Sequence, residues 1–272
     1  MLACNLAFAG CSRFSDSMGT NEGSDGAMFD CLLFDMDDTL YPLSLGINLA
    51  CRLNIQEYML NELQIEESVV PKMCLDLYRE HGTTMAGLKV LGYKFDDDDF
   101  HAYVHGRLPY HKLKPDPVLR NLLLSMPQRK IIFTNADRAH VGKVLLKLGL
   151  EDCFEGVICF ETLNPYNDGS RVLCKPSVEA MKAAIKIANV DAHRILFFDD
   201  SARNIASGKE AGMSTVLVGS SRKTEGADFA LTSIHNMKEG IPEIWGRMRS
   251  EDQSDEHMVH LHQPSAVETV QA

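Results

Sequence analysis

Short apolar runs alternate with longer amphipathic stretches in the second half of the chain. The segments between the runs have apolar residues at helical spacing, as in SVEAMKAAIKIAN and ARNIASGKEAG. The apolar runs have the length of strands: KIIFT (130–134), GVICF (156–160), RILFFDD (194–200) and STVLVG (214–219). A similar run, CLLFDM (31–36), lies near the start of the chain. Strands that alternate with helices in this way indicate right-handed β-α-β units around a parallel sheet. The pattern therefore predicts an α/β fold.

The spacing of apolar residues becomes helical between the first of these runs and the second. This helical pattern extends from Ser44 to about Phe100 and includes amphipathic stretches such as INLACRLNIQEYMLNEL. Within it, Pro71 is suited to the first turn of a helix that Gly82 would end. A block of helices that follows the first strand predicts an inserted second domain, smaller than the one that holds the sheet.

Three polar segments near this block have specific interpretations. The run Asp96–Asp99 could form a cation site, but we favour a helix start, because the positive end of a helix dipole stabilises carboxylates. The segment HGTTMAGL (81–88) fits a capped turn and a substrate-contacting loop equally well. LKPDP (113–117) contains two prolines and is predicted to link the helical block to the sheet.

These patterns give the predicted domain bounds. Residues 29–42 and 114–246 would form the α/β core, and residues 43–113 the helical domain. We interpret residues 1–28 as a disordered leader, with an organelle address as the alternative, and residues 247–272 as a disordered tail. The histidines of the tail are interpreted as solvated rather than metal-binding: His257, His260 and His262.

Composition narrows the classes of function. The chain has 272 residues, of which 45% are hydrophobic, as is ordinary for a globular protein. A net charge of −11 argues against binding to a nucleic-acid polymer, although a bound cation could still bring in a small phosphorylated substrate. No apolar run approaches the length of a membrane span. Composition does not define the oligomeric state.

The cysteines point to a reducing compartment. There are eight of them, none forms a C-x-x-C pair, and several lie in apolar runs. This usage is typical of buried, reduced thiols in an intracellular protein rather than of a disulfide framework. We therefore expect a cytoplasmic protein that could also enter the nucleus.

The segment FDMDDT (34–39) carries the most chemical information. Asp35 and Asp37 are two residues apart, so both side chains can enter one pocket at the end of an extended strand. Close carboxylates repel each other unless a cation or a proton lies between them, and an all-oxygen site suits Mg²⁺. One carboxylate could attack phosphorus while the other transfers protons. The alternative is a strand end followed by an Asp/Thr helix cap.

Two later segments could bind phosphate. Thr134 and Asn135 end KIIFTN with a hydroxyl and an amide that can donate hydrogen bonds to phosphate oxygens. Lys175 lies in CKPS, where Pro176 is suited to the first helical position, and a lysine beside a helix start can hold a phosphate. The alternatives are a helix cap for the first pair and a surface charge for the lysine.

A second carboxylate pair ends the strand-like run RILFFDD. Asp199 and Asp200 could complete a metal site, or they could cap the next helix. Open α/β sheets bind ligands at the carboxyl ends of their strands, and all four segments follow predicted strands or precede a predicted helix at that edge. We therefore expect the four segments to converge on one phosphate.

At these residues the sequence resembles the haloacid dehalogenase-like (HAD) hydrolase superfamily, over roughly residues 29–235 and with its four motifs in order. The resemblance implies a Rossmannoid, doubly wound parallel sheet as core. It also implies a helical cap inserted between the first and second motifs, as in subfamily I, here at about Leu43–Leu113.

The resemblance also implies catalytic roles. Asp35 would attack phosphorus and form an aspartyl-phosphate, and Asp37 would protonate the leaving oxygen and then act as base toward water. Thr134 and Lys175 would hold the phosphoryl oxygens. Dehalogenases generally lack an acid at the position of Asp37, because halide leaves without a proton. Its presence favours phosphate-ester hydrolysis.

The resemblance implies Mg²⁺ as cofactor and names its ligands. Asp35 and Asp200 would bind the ion through their side chains, and Asp37 through its main-chain carbonyl. Asp199 would bind directly or through water.

A narrower resemblance suggests a substrate. FDMDDTLYP, GLKVLGY, HGRLPY, KPDP and FTNA are similar to the pyrimidine 5′-nucleotidase branch, which removes phosphate from UMP or CMP. The leading hypothesis is therefore a phosphatase for a nucleoside 5′-monophosphate. The alternatives are a phosphatase for another small metabolite, such as a sugar phosphate or pyridoxal phosphate, and a catalytically silent binding module with this fold.

Overall fold

The computed structural model describes residues 28–165 and 171–246. The predicted leader, apart from Met28, lies outside the described residues. The predicted tail lies outside them as well, from residue 247 onward and with its three histidines.

Six parallel strands form one sheet at the centre of the described chain. In order across the sheet they are β3, β2, β1, β4, β5 and β6, so the first strand of the sequence lies inside the sheet. Their bounds are β1 Cys31–Phe34, β2 Arg129–Phe133, β3 Gly156–Ile158, β4 Ile195–Asp199, β5 Ser214–Val218 and β6 Phe229–Leu231. The predicted α/β fold with a doubly wound parallel sheet is confirmed.

Ten α-helices accompany the sheet in the described residues. The first four form the inserted helical block that follows β1: α1 Ile47–Asn61, α2 Val70–His81, α3 Thr84–Val90 and α4 Asp97–Gly106. The others are α5 Pro117–Leu124, α6 Arg138–Leu148, α7 Phe160–Leu163, α8 Val178–Ala188, α9 Ala202–Glu210 and α10 Met237–Gly240.

Helices cover both faces of the sheet. Because successive strand residues point to opposite faces, Leu32 and Phe34 enter one core, which contains α5 and α6, while Leu33 enters the other, with α8 and α9. Phe34 and Phe198 stack across β1 and β4 with ring centroids 4.5 Å apart. Burying each large apolar side chain contributes about 1.5–3 kcal/mol, which explains why these strands read as continuous apolar runs.

The inserted helices have a hydrophobic core of their own. Tyr58, Phe100 and Val104 belong to it, and Tyr58 meets Phe100 edge to face at 5.0 Å. The core also takes in Phe160 and Cys174 from the sheet-bearing part of the chain, so the inserted helices pack directly onto it. The bounds of the helical domain, 43 and 113, stay a prediction.

Three predicted helix boundaries within this block are confirmed. Pro71 lies in the first turn of α2, and Gly82 follows its last residue with a φ of +89°. Asp96 caps α4, since its side chain accepts a hydrogen bond from the backbone N–H of Asp99 at 3.0 Å. The acidic run is therefore a helix start, as we favoured.

The third predicted strand is too long. β3 ends at Ile158, and Phe160 is the first residue of α7 rather than the end of a strand. The backbone N–H of Cys159 donates to the hydroxyl of Thr162 at 3.3 Å, so a local turn replaces the strand ladder. Phe160 joins the core of the inserted helices, and this packing gives the apolar residue a place outside the sheet.

The predicted linker 113–117 is also too long. Asp116 caps α5 by accepting a hydrogen bond from the N–H of Leu119 at 2.9 Å, and Pro117 is its first residue. Proline is tolerated there because the first N–H groups of a helix have no intrahelical partner. We did not predict α5 or β6 from the sequence.

Two further observations concern the cysteines and the helix lengths of the described residues. The six cysteines among the described residues are free, and five of them are buried. No helix in the described residues combines the length and apolarity that crossing a bilayer requires.

Candidate active site

The site lies where the order of the strands reverses. β1 lies between β2 and β4, and Phe34 pairs with both Ile132 and Phe198 in register. The residues that follow these strands therefore emerge side by side at the carboxyl edge of the sheet, which is where open α/β sheets bind ligands. Asp35 is the first of them, and its N–H still donates to the carbonyl of Phe198 at 2.8 Å.

Both carboxylate oxygens of Asp35 accept hydrogen bonds. Oδ1 accepts from Nζ of Lys175 at 2.7 Å, and Oδ2 accepts from the hydroxyl of Thr39 at 2.9 Å. The residue is 7% exposed and lines a cavity. Thr39 lies one turn after Asp35, so the tight turn that follows β1 supplies one of the two donors.

Lys175 is the central cation of the site. It is 2% exposed, and Nζ donates to Oδ1 of Asp35, to Oδ2 of Asp199 and to the carbonyl of Phe133, at 2.7, 2.7 and 2.8 Å. An ammonium group has three protons, so this geometry satisfies all of them. Burial alone would lower the pKa of Lys175, but the charges of Asp199 and Asp35 outweigh it and raise the pKa above its usual value.

Asn135 holds the backbone of this lysine. Its side-chain oxygen accepts from the N–H of Lys175 at 2.8 Å, and its amide donates to the carbonyl of Lys175 at 3.0 Å. We expected Asn135 to contact phosphate, and the structure gives its side chain this bracing contact with the lysine loop. The hydroxyl of Thr134 accepts from the N–H of Ala136 at 3.1 Å, and Thr134 lines the cavity.

The expected helix start next to Lys175 is wrong in detail. α8 begins at Val178, and its cap is Ser177, whose hydroxyl accepts from the N–H of Ala180 at 3.1 Å. Pro176 therefore precedes the cap and is not the first helical residue. A side-chain oxygen at the cap outcompetes proline for the helix start because it satisfies an N–H group that has no other partner.

Three carboxylates meet beside the lysine. Oxygen atoms of Asp35, Asp199 and Asp200 lie within 4.8 Å of one another. Burial raises the pKa of Asp35 well above its usual value, and the neighbouring acidic charges add to the effect despite Lys175. Burial and the charge of Asp199 raise the pKa of Asp200 to about 7, although its side chain reaches the cavity. The site thus has more negative charge than one lysine balances.

A divalent cation fits this donor set. Carboxylate oxygens are hard ligands, and additional positive charge would relieve the repulsion that raises these pKa values. Asp38 supports the fit, because it lines the same cavity and its buried Oδ1 finds no donor among the described residues. Burial and the charge of Asp37 raise the pKa of Asp38 to about 6.

The carboxylate of Asp37 lies apart from this cluster. Its Oδ1 contacts the hydroxyl of Tyr41 at 2.5 Å and Nε2 of His140 at 2.8 Å. Burial would raise the pKa of Asp37, but the charge and hydrogen bond of His140, together with Tyr41, lower it to about 2. The structure thus brings Asp35, Asp199 and Asp200 together and directs the side chain of Asp37 elsewhere.

The cavity has a volume of 330 Å³ and extends from these carboxylates to the inserted helices. Thr83 caps α3 by accepting from the N–H of Ala86 at 3.0 Å, so the capped-turn interpretation of HGTTMAGL is confirmed. The same segment also lines the cavity, so the second interpretation stays open. The inserted helices further contribute Asn48, Arg52, Ile55, Tyr78, His101 and His105 to the lining.

Sequence reasoning missed the partners of Asp37. His140 is 103 residues away from Asp37, and no local pattern links the two. A weak signal existed for Tyr41, which follows Asp37 by four residues, as Thr39 follows Asp35. Residues at this spacing meet across one helical turn or a tight turn.

A parallel sheet with a buried lysine and a carboxylate cluster at its switch point defines an α/β enzyme of the Rossmannoid class. The family model for haloacid dehalogenase-like hydrolases matches residues 29–212. The chain belongs to this family of hydrolases, and the broader resemblance is confirmed. The narrower resemblance to the pyrimidine 5′-nucleotidase branch stays a prediction.

Two similar proteins have names that refer to phosphate chemistry. Phosphate metabolism protein 8 of Saccharomyces cerevisiae is 26% identical over 194 residues, which cover 68% of this chain and 60% of the yeast protein. The chain thus spans less than two thirds of that relative. Glyceraldehyde 3-phosphate phosphatase of Pyrococcus abyssi is 26% identical over 203 residues, which cover 70% of this chain and 81% of the archaeal protein.

A solved structure agrees with the fold. CbbY from Rhodobacter sphaeroides, determined in complex with phosphate, superposes with a TM-score of 0.56 at 16% identity. The superposition covers 80% of this chain and 99% of CbbY. At this identity the likeness concerns the fold alone.

Proposed function

We propose that the protein is a Mg²⁺-dependent phosphomonoesterase that acts on a small phosphorylated metabolite through an aspartyl-phosphate on Asp35. One observation carries the proposal. A buried carboxylate at the switch point of the sheet is held on one oxygen by Lys175 and on the other by Thr39, and it lines the cavity. A carboxylate fixed in this way can approach a bound phosphate without further reorganisation.

In the first step, a carboxylate oxygen of Asp35 forms a bond to phosphorus, and the bond between phosphorus and the ester oxygen breaks. Thr134 and Lys175 hold phosphoryl oxygens, and Lys175 exchanges its hydrogen bond to Oδ1 of Asp35 for one to a phosphoryl oxygen as that carboxylate bonds to phosphorus. The positive charge of the lysine offsets the negative charge that accumulates in the transition state. Asn135 keeps the backbone of Lys175 in place through its two hydrogen bonds.

Asp37 transfers the protons. Because its pKa is about 2 in the free protein, Asp37 takes up a proton when the substrate phosphate binds, and it gives this proton to the leaving oxygen. In the second step it takes a proton from the water that attacks the aspartyl-phosphate, which restores the acid. The side chain of Asp37 is one third exposed and lines the cavity, so it can reach a bound leaving group.

Asp35 and Asp200 would hold Mg²⁺ together with the main-chain carbonyl of Asp37. Asp199 would act directly or through water, because both its oxygens already accept hydrogen bonds from Lys175, Ser201 and Asn204. When bound, the ion would supply positive charge that offsets the charge of the phosphoryl group.

For the substrate we propose a nucleoside 5′-monophosphate, with UMP and CMP first. The segments FDMDDTLYP, GLKVLGY and HGRLPY support this choice. A sugar or triose phosphate is the second candidate, which the name of the Pyrococcus abyssi relative favours. The inserted helices, residues 43–113 in our proposal, would act as a cap and contact the leaving group. We propose that the protein is located in the cytoplasm and also in the nucleus.

The test is phosphate release from a panel of nucleoside monophosphates, sugar phosphates, glyceraldehyde 3-phosphate and pyridoxal phosphate, with Mg²⁺ and then with EDTA. We expect hydrolysis that EDTA abolishes. A preference for UMP and CMP would support the nucleotide assignment, and a preference for another metabolite would contradict it. Folded protein that hydrolyses no phosphate would contradict the phosphatase and favour the silent binding module.

A further inference from the structure

The carboxylate of Asp37 is held by one of its two oxygens. Oδ1 accepts from the hydroxyl of Tyr41 at 2.5 Å and contacts Nε2 of His140 at 2.8 Å. Two partners from different parts of the chain restrain the carboxylate about its χ2 torsion more than a single hydrogen bond would. Because both partners engage Oδ1, Oδ2 is the oxygen left for the cavity that Asp37 lines.

The imidazole of His140 cannot easily change its position. It is 1% exposed, and Nδ1 lies 2.7 Å from the hydroxyl of Tyr110, which donates to the carbonyl of His105 at 2.9 Å. The ring also stacks on the ring of His105, with centroids 4.6 Å apart. The backbone of His140 is fixed as well, because its N–H donates to Asp137, the cap of α6, at 3.2 Å.

This arrangement joins the core to the inserted helices. Asp137 caps α6 through Oδ2 and contacts Nδ1 of His105 in α4 through Oδ1. The orientation of Asp37 therefore depends on Tyr41 in the turn after β1, on His140 in α6 and on His105 in α4. A general acid must lie within hydrogen-bond reach of the leaving oxygen, and misplacement by a fraction of an ångström weakens proton transfer.

We infer that Tyr41 and His140 are positioning residues that hold the carboxyl group of Asp37 with Oδ2 directed at the leaving group. The inference rests on the proposed phosphatase function and on the role of Asp37 in it. The alternative is a buried hydrogen-bond network that contributes only to stability. The two differ in what they predict for substrates with different leaving groups.

The decisive measurement compares kcat/KM for p-nitrophenyl phosphate with kcat/KM for the most reactive alkyl ester of the panel. Both report the steps up to transfer of the phosphoryl group. The aryl leaving group departs with little protonation, whereas an alkyl oxygen requires an acid. In Tyr41→Phe, which removes one hydroxyl without changing the ring, we expect the alkyl-to-aryl ratio to fall about tenfold.

His140 is tested with a pair of variants. His140→Leu removes the donor, and His140→Gln keeps an N–H near the position of Nε2. We expect the ratio to fall in the first and to recover in part in the second. Tyr93→Phe is the matched control for Tyr41→Phe, because Tyr93 packs against the core of the inserted helices and does not line the cavity. Its ratio should equal that of the wild type.

A double-mutant cycle separates positioning from structure. In an Asp37→Ala background, Tyr41→Phe should have no further effect on kcat/KM for the alkyl or the aryl substrate, because there is no carboxylate left to orient. Equal proportional losses with both substrates in folded variants, or an undiminished effect of Tyr41→Phe without Asp37, would overturn the inference alone. A wild-type protein that hydrolyses neither substrate would overturn the proposed function and the inference together.

Discussion

At the scale of single residues, the ion pairs of Lys175 bring three charged side chains together in a buried region. Both of its carboxylate partners are buried, and Asp199 is completely so. Removing one member of such a group leaves an uncompensated charge, whereas an isosteric neutral replacement that keeps a polar contact costs less. The choice of substitution therefore decides whether an experiment reports chemistry or folding.

Asp35→Asn is the cleanest test of the nucleophile. Lys175 keeps Asp199 and Phe133 as partners in this variant, so we expect a melting temperature within a few degrees of the wild type. Turnover should fall roughly 10⁴-fold or more, because an amide cannot attack phosphorus. Asp30→Asn, at an exposed position five residues earlier, is the matched control and should keep full activity. Substantial turnover in Asp35→Asn would mean that the nucleophile is another group.

His101 makes stability depend on pH. It is 6% exposed, and burial and the neighbouring His105 lower its pKa to about 4 from 6.5. The unfolded chain then binds the proton more tightly than the folded one. The contribution to stability is complete above pH 6.5 and is lost as pH falls toward 4. Lowering the pH from 7.5 to 5 should therefore reduce the free energy of unfolding by about 1–2 kcal/mol through His101.

Urea unfolding at both pH values measures this effect. His101→Gln should lose less stability than the wild type on acidification, because glutamine does not titrate. His111→Gln makes the same change at an exposed position and should follow the wild type. An identical pH dependence in His101→Gln and the wild type would contradict the assignment.

At the scale of elements, the end of α2 contacts the loop that carries Lys175. Gly82 has a φ of +89°, and a Cβ there would lie 2.5 Å from the carbonyl oxygen of Lys175 and 2.9 Å from Cδ of Pro176. Arg203 of α9 reinforces this junction by donating to the carbonyl of Arg79 at 2.6 Å. The inserted helices thus pack closely against the main chain of Lys175.

Gly82→Ala should separate α2 from this loop. We expect a loss of about 2 kcal/mol in the free energy of unfolding, from backbone strain and the close contact together, and at least a tenfold loss of kcat/KM. Gly92→Ala is a matched control, since Gly92 has the same φ of +89° with nothing within 4 Å of the added Cβ. It should lose about 1 kcal/mol from strain and keep its activity. Equal losses of activity in the two variants would show that the contact has no catalytic consequence.

The elements also show what a sequence can predict. β1 and β4 were predictable because both faces of each strand are buried, which produces unbroken apolar runs. β6 has three residues of which only Leu231 is buried, so it leaves no such run. α5 was missed because its first residue is Pro117 and the prolines around it suggested a linker.

The site divides in the same way. Asp35, Asp199 and Asp200 end strands, so topology alone brings them together. Lys175 follows no strand, and we placed it at the site from an expected helix start at Pro176, whereas α8 begins at Val178. The hydrogen bonds of Asn135 to Lys175 and of His140 to Asp37 join segments 40 and 103 residues apart, and no periodic pattern records such contacts.

At the scale of the whole molecule, the acidic cluster couples metal binding to stability. Mg²⁺ that binds only the folded protein should raise the free energy of unfolding by about 2.7 kcal/mol at 100 times its Kd. Thermal unfolding with and without Mg²⁺ measures this independently of activity. In Asp200→Asn the shift should be much smaller, while Asp191→Asn, at an exposed position, should keep it. A wild-type melting temperature that does not respond to Mg²⁺ would contradict the metal site.

The three acceptors of the Lys175 ammonium group come from distant parts of the chain. Asp35, Phe133 and Asp199 lie 140, 42 and 24 residues away from it in sequence. A folding intermediate in which β1 has not yet joined β2 and β4 would leave this ammonium group without Asp35, one of its two carboxylate partners. The loss of that partner destabilises a partly assembled sheet, because a buried charge is then incompletely compensated. We therefore expect catalytic competence to appear late in folding. During refolding, enzymatic activity should return no earlier than the slowest step of sheet assembly.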